Sequence, residues 1–238
     1  MGQQSFFIWN DRDCRSMGVW LQGPVPIVRP EERVKHVEIP GRAGDLTQLE
    51  GEDIYNSYIQ TATIIVQNGY RVREIYNWLK GSGTVTFSGE PDRKQQARII
   101  GAVTLNKHSH NADWWVGEVQ FYCQPFKELL RETVTEITSS GTDIRNRGDV
   151  TEKPLIKVTP SGTSVTVAAG GNSITVASTV SGTAIWIDSD TMEILNADMS
   201  ATLTQNATGD FPIFLQGDNT VTGSGWSKLE ITRRERFL

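Results

Sequence analysis

Cysteine is nearly absent from this 238-residue chain: Cys14 and Cys123 are the only two. Two such distant cysteines exclude a disulfide-stapled scaffold and a cysteine-bound zinc site. Cys123 falls on the apolar alternation of its segment and is expected to be a buried free thiol. No stretch approaches the roughly 18 consecutive apolar residues of a membrane-spanning helix. Met1-Gly2-Gln3-Gln4-Ser5-Phe6 lacks the basic segment and apolar stretch of a secretory signal, and Phe6 stands where myristoylation wants Ser or Thr. The chain is therefore expected to be made in the cytoplasm and to remain soluble, without membrane insertion. Cations are missing from a long interval. Between Lys157 and Lys228 there is no Lys or Arg, against the carboxylates Asp188, Asp190, Glu193, Asp198, Asp210 and Asp218. With a net charge of -5, this excludes nucleic-acid binding of the basic-patch kind. The acidic interval is read as a soluble surface rather than a cation or sugar site.

What is present points to β structure. The 22 glycines against 9 prolines, in a chain only 37% hydrophobic, favour many turns and modest cores. The segment Asn146-Arg147-Gly148-Asp149-Val150-Thr151-Glu152-Lys153-Pro154 marks a break in composition. Before it lie five of the seven tryptophans, all three histidines and both cysteines; after it come short segments of Thr, Val, Ser and Gly. Two domains are expected, residues 1–130 and 131–238, with the Asn146–Pro154 turn as the joint that aims one away from the other.

In the first half, alternation predicts strands at residues 5–9, 19–21, 33–40, 58–67, 84–87, 97–105 and 114–123. Asn10–Asp13, Pro40–Asp45, Asn68-Gly69 and Gly89–Asp92 read as turns. In the last of these strands, Trp115, Gly117, Val119, Phe121 and Cys123 share a face. One helix is expected over 71–80, with Val72, Ile75, Tyr76 and Leu79 as its apolar stripe and Gly81 at its stop. Residues 127–137 suit either a helix or a strand. Beyond the joint, strands are expected at 155–159, 164–168, 173–177, 183–187, 193–195 and 226–232. Their close, regular spacing predicts a β-sandwich of jelly-roll type.

No catalytic constellation emerges. Asp188, Asp190 and Glu193 have the makings of a glycosidase acid pair, but the strand runs out into a turn there, where Asp and Ser commonly accept backbone N–H bonds. His108 and His110 with Asp113 have a metal-like spacing without a third ligand, and are read as a solvated hairpin loop. Arg147-Gly148-Asp149 is read as turn chemistry rather than an adhesion motif. No cofactor, metal or catalytic residue is expected. The tryptophans are the one feature suggesting binding: Trp9, Trp20 and Trp78 look like core, while adjacent Trp114 and Trp115 must face opposite sides of a strand. Trp114, Trp115, Arg42, His108 and His110 are the candidate surface or interface residues, interfaces being rich in Trp and Arg.

Several segments, in order along most of the chain, carry a resemblance. They are Val37-Glu38-Ile39-Pro40-Gly41-Arg42-Ala43-Gly44-Asp45-Leu46, Trp78-Leu79-Lys80-Gly81-Ser82-Gly83 and Val119-Gln120-Phe121-Tyr122-Cys123-Gln124-Pro125-Phe126. In the second half they are Asn146-Arg147-Gly148-Asp149 with Lys153-Pro154-Leu155-Ile156, Ile187-Asp188, Gly209-Asp210-Phe211-Pro212, Gly217-Asp218-Asn219 and Leu229-Glu230-Ile231-Thr232-Arg233-Arg234. As a set they resemble the distal tail protein (Dit) family of bacteriophages with long non-contractile tails. The resemblance implies a mainly β protein: an N-terminal β-rich ring-forming domain with one α-helix, and a C-terminal galectin-like jelly-roll β-sandwich. It also implies a homo-oligomer, a hexameric ring at the phage tail tip, assembled in the host cytoplasm. Its implied partners are the tail tube protein, the tail-associated lysin or hub protein, and receptor-binding proteins, with DNA passing through the lumen unread. The nearly balanced charge of residues 1–126 is compatible with such a lumen. Many family members carry a sugar- or partner-binding insertion in the second domain, for which the short strands here leave no room. The alternative from another class is a carbohydrate-binding module presenting Trp186 or Trp226 to sugars.

Overall fold

The computed structural model describes residues 5–49, 51–67, 71–108 and 113–238. The chain divides into two compact units, Met1–Leu130 with Leu238, and Arg131–Phe237. Both are built of strands, and among the described residues there is one α-helix.

The first unit contains β1 (Phe7–Trp9), β2 (Arg12–Asp13), β3 (Val19–Leu21), β4 (Val34–Val37), β5 (Leu46–Leu49), β6 (Tyr58–Gln67), helix α1 (Val72–Trp78), β7 (Ser82–Phe87), β8 (Arg93–Lys107) and β9 (Trp114–Leu129). Seven of the strands form one antiparallel sheet in the order β2-β1-β7-β8-β9-β6-β3, while β4 and β5 make a separate two-stranded ribbon. Strict alternation explains the centre of the sheet. Ala62, Ile64 and Val66 of β6 pair with Val119, Gly117 and Trp115 of β9, so their inward rows meet in one core. Phe7, Trp9, Trp78, Phe87 and Phe121 close that core, with ring centroids 5.4 to 5.6 Å apart. Each such pair adds about 0.5–1.5 kcal/mol beyond area burial.

Helix α1 is shorter than its periodicity suggests, and its stripe differs. Ile75 and Leu79, the latter at the C-cap, are buried in the core and Val72 packs against it, but Tyr76 is exposed. Trp78 takes the place expected for Tyr76, stacking on Phe7 and donating its indole N–H to the Trp9 carbonyl at 3.2 Å. Its aromatic area and polar tip outcompete Tyr76 for the inward position. The Asn68-Gly69 turn lies outside the described residues. Residues 127–137 are not helical: β9 runs on to Leu129 and a new strand starts at Val134, with 130–133 between them in neither. Asn10 and Asp11 do turn the chain, both at positive φ, but Arg12 and Asp13 pair back on β1.

The second unit holds β10 (Val134–Ile137), β11 (Thr142–Asn146), β12 (Leu155–Pro160), β13 (Ser164–Ala169), β14 (Asn172–Ala177), β15 (Ile185–Asp188), β16 (Glu193–Leu195), β17 (Ala207–Gly209), β18 (Gly217–Ser224), β19 (Trp226–Thr232) and β20 (Arg236–Phe237). Two antiparallel sheets, β10-β19-β12-β15-β16 and β11-β18-β13-β14-β17, send alternate side chains into one core. Ile156, Ile187 and Ile231 from the first meet Val167, Ile174 and Val221 from the second, which makes a β-sandwich.

Asn146–Pro154 is not the joint between units. The boundary falls after Leu130, and Asn146 is buried inside the second unit, donating to the carbonyls of Val150 and Phe214 at 2.9 and 3.0 Å. The composition break arises because β10 and β11 are edge strands. Edge strands carry charge, as Glu136, Asp143 and Arg145 do here, and in sequence they look like linker.

Candidate assembly surface

The β4–β5 ribbon is a poorly protected part of the first unit. Its root is tied down: Arg33 N–H donates to the Ile54 carbonyl and Asn56 N–H to that of Glu31, at 2.9 and 2.8 Å. Beyond the root, no residue of either strand joins the unit's core. Val34 pairs with Leu49 and Val37 with Leu46, placing apolar pairs on opposite faces of the ribbon. Leu49 is 60% exposed and Leu46 45%. Arg42 stands exposed at the tip, where Glu38, Ile39, Pro40, Arg42, Gly44 and Asp45 border a depression of about 370 Å³. A lone two-stranded ribbon is marginal in water, so this one gains from being covered.

A second unprotected feature is the rim of β8. Strand β7 pairs with β8 only over residues 95–98. From Ile100 to Asn106, no strand among the described residues pairs with β8 on the side away from β9. An irregularity between Ile100 and Thr104, with Gly101 at φ 69°, bends this stretch. Unpaired N–H and C=O groups along such a rim offer a ladder to another strand.

The tryptophan pair divides as alternation requires. Trp115 packs against the core, while Trp114 is exposed beside the His108 ring, 4.5 Å between centroids. His108 N–H donates to the Trp114 carbonyl at 3.1 Å, so an aromatic step ends the β8–β9 hairpin. His110 lies outside the described residues. The structure thus places Trp114 and His108 together, Trp115 inside, and Arg42 on the ribbon. Leu46 and Leu49 went unread in the sequence, because a strand exposed on both faces has no hydrophobic alternation.

Both cysteines are buried free thiols. Burial pushes the Cys123 thiol up to about 12, against a smaller opposing influence of Lys127. Burial likewise raises Tyr58 to about 12, although a hydrogen bond from Gln95 opposes it. In the second unit the carboxylates Asp188 and Asp190 do not form an acid pair, since each is taken by an arginine. Arg234 forks onto Asp188 at 2.7 and 3.0 Å, and Arg236 reaches both oxygens of Asp190 at 3.1 Å. Burial opposes ionisation of Asp188. The Arg234 guanidinium and the N–H groups of Asp190 and Thr191 outweigh it and hold the carboxyl below its ordinary value. Of the tryptophans of this unit, Trp186 donates to the Ala197 carbonyl and lies under Lys157, and half-buried Trp226 packs against the core.

No family model and no curated protein matches the sequence. Solved structures do match the fold. The crystal structure of the Dit protein (gp 19.1) of phage SPP1, described as a paradigm of the hub adsorption apparatus in phages infecting Gram-positive hosts, superposes with a TM-score of 0.77. The match covers 99% of this chain and 100% of that one at 17% identity. A chain of the phage p2 baseplate, in its activated conformation with Sr, matches with a TM-score of 0.50 at 11% identity, covering 98% of each. At these identities the likeness is one of fold.

Proposed function

Because the chain shares its fold end to end with a phage hub protein, we propose that it is a structural component of a bacteriophage tail tip. In this reading the first unit assembles into a hexameric hub ring and the second is a galectin-like jelly roll. The ring joins the tail tube to the baseplate or tail-associated lysin and to the host-adsorption apparatus, including receptor-binding proteins. The role is one of architecture, not catalysis. The observation that carries it is the unbroken match across both units. Two features of the first unit support it. A ring needs a heterologous interface, one surface meeting a different surface on the next copy. The apolar ribbon and the unpaired rim of β8 are two unlike surfaces of this kind. A lumen through which DNA slides also gains from the near-neutral charge of residues 1–126.

Light scattering with negative-stain imaging of the purified full-length protein tests the reading. Six-fold rings are expected at high concentration or beside a tail partner. A strict monomer under all such conditions rejects it.

A further inference from the structure

The rim of β8 borders a groove as well as an open edge. Ala102, Thr104 and Asn106 of β8 and Val116, Glu118 and Gln120 of β9 line about 510 Å³ on the sheet surface. The side chains of Thr104, Asn106, Glu118 and Gln120 are exposed and make no hydrogen bond or ion pair among the described residues. Glu118 is the only charged residue of this lining. Along the rim itself, residues of an extended strand aim N–H and C=O alternately to its two sides, so part of the main chain from Ile100 to Asn106 points away from β9. The β4–β5 ribbon carries the opposite features. Its strands pair with each other and with no third strand among the described residues, so each keeps a free outer edge. Their residues include Lys35 and His36 and no acid, and Lys35 is exposed. Each strand is four residues long, which at about 3.3 Å per residue fits within the rim. Leu46 and Leu49, exposed on the ribbon, match the apolar Ala102 and Val116 of the groove.

We propose that the β4–β5 ribbon of one copy adds to the β8 rim of the next by strand pairing, with Lys35 set against Glu118 in the groove. The proposal rests on the ring reading above and specifies its joint. Ribbon and rim do not pair with each other within one chain, and one intermolecular event satisfies both. Each copy gives a ribbon and offers a rim, so the contact is heterologous, and a closed ring leaves neither surface uncovered. The main-chain ladder supplies adhesion without reading side chains. The Lys35–Glu118 pair sets the register, since a like charge in either place opposes docking.

Charge exchange between copies tests the joint in the full-length protein. Lys35→Glu places an acidic ribbon against Glu118, and Glu118→Lys places a basic rim against Lys35. Both positions are exposed, so each variant is expected to melt like the parent. Alone, each is expected to self-associate about tenfold more weakly than the parent in light scattering at low salt. Mixed one to one, they are expected to recover the parent's association, because every ribbon then finds a rim of opposite charge in an alternating assembly. Native mass spectrometry of the mixture reads that alternation. Parent-like association of either variant alone overturns the joint, since that residue is then outside the contact. Two weakened variants that do not rescue each other also overturn it, since ribbon and rim then meet other surfaces. A parent protein that stays monomeric under all conditions rejects the ring itself along with the joint, whereas the first two outcomes leave the ring standing.

Discussion

Gly117 lies so close to Thr104 that a side chain at Gly117 would stand 2.0 Å from the Thr104 carbonyl oxygen. The contact occurs where β8 resumes its pairing with β9 after the irregularity, Thr104 opposite Glu118 and Leu105 opposite Gly117. Gly117→Ala is therefore expected to push the two strands apart and to cost about 1–3 kcal/mol, the usual penalty for overpacking. Equilibrium denaturation measures it. Unchanged stability means that β8 can shift at no cost.

Glu152 and Arg233 form the most buried ion pair of the second unit, with side-chain exposures of 0% and 8%. Glu152→Gln leaves the guanidinium with the Arg145 carbonyl and Glu235 but without its main counter-charge. A loss of about 3–5 kcal/mol is expected in denaturant unfolding. A loss under about 1 kcal/mol shows that Glu235 and water take over the role.

Two titrations have opposite signs. Asp188 is held below its ordinary value of 3.8, so its contribution to stability is present above that value and is lost as pH falls through the folded one. Asp188→Asn should start less stable at neutral pH and show a flatter acid limb. Tyr58 is raised from 10.0 to about 12, so its contribution is present below pH 10 and is lost as pH rises toward 12. Tyrosinate absorbance, compared with that of Tyr58→Phe, should show one late phenol. A difference spectrum that titrates at the ordinary value contradicts its burial.

On the ribbon, Leu46→Ser with Leu49→Ser removes two exposed apolar side chains that touch no core. Unfolding free energy of the monomer should change by no more than about 0.5 kcal/mol, while self-association weakens in light scattering. A large loss of monomer stability with unchanged association reverses the assignment of this surface.

Strands buried on one face were readable in the sequence. Residues 58–67, 193–195 and 226–232 emerge with their observed limits, because alternation and burial coincide there. Strands without that coincidence were not. Leu46–Leu49 is exposed on both faces, Thr142–Asn146 is a polar edge, and Gly217–Ser224 carries the glycine, aspartate and asparagine of a turn. Trp114 and Trp115 could be assigned to opposite faces but not to solvent and core. The Glu152–Arg233 ion pair could not be read at all: the two are separated by 81 positions, and nothing local to either one announces the other.

A bulge-free ribbon rooted at Arg33 and Asn56, with no core behind it, has a mechanical consequence. Force applied at its tip bends two strands rather than shearing a packed interior, and two-stranded ribbons twist more readily than broad sheets. Subunits joined through such an element can tilt against one another while each keeps its own interior intact. In a ring of the proposed kind, such a joint would behave as a leaf spring between stiff blocks.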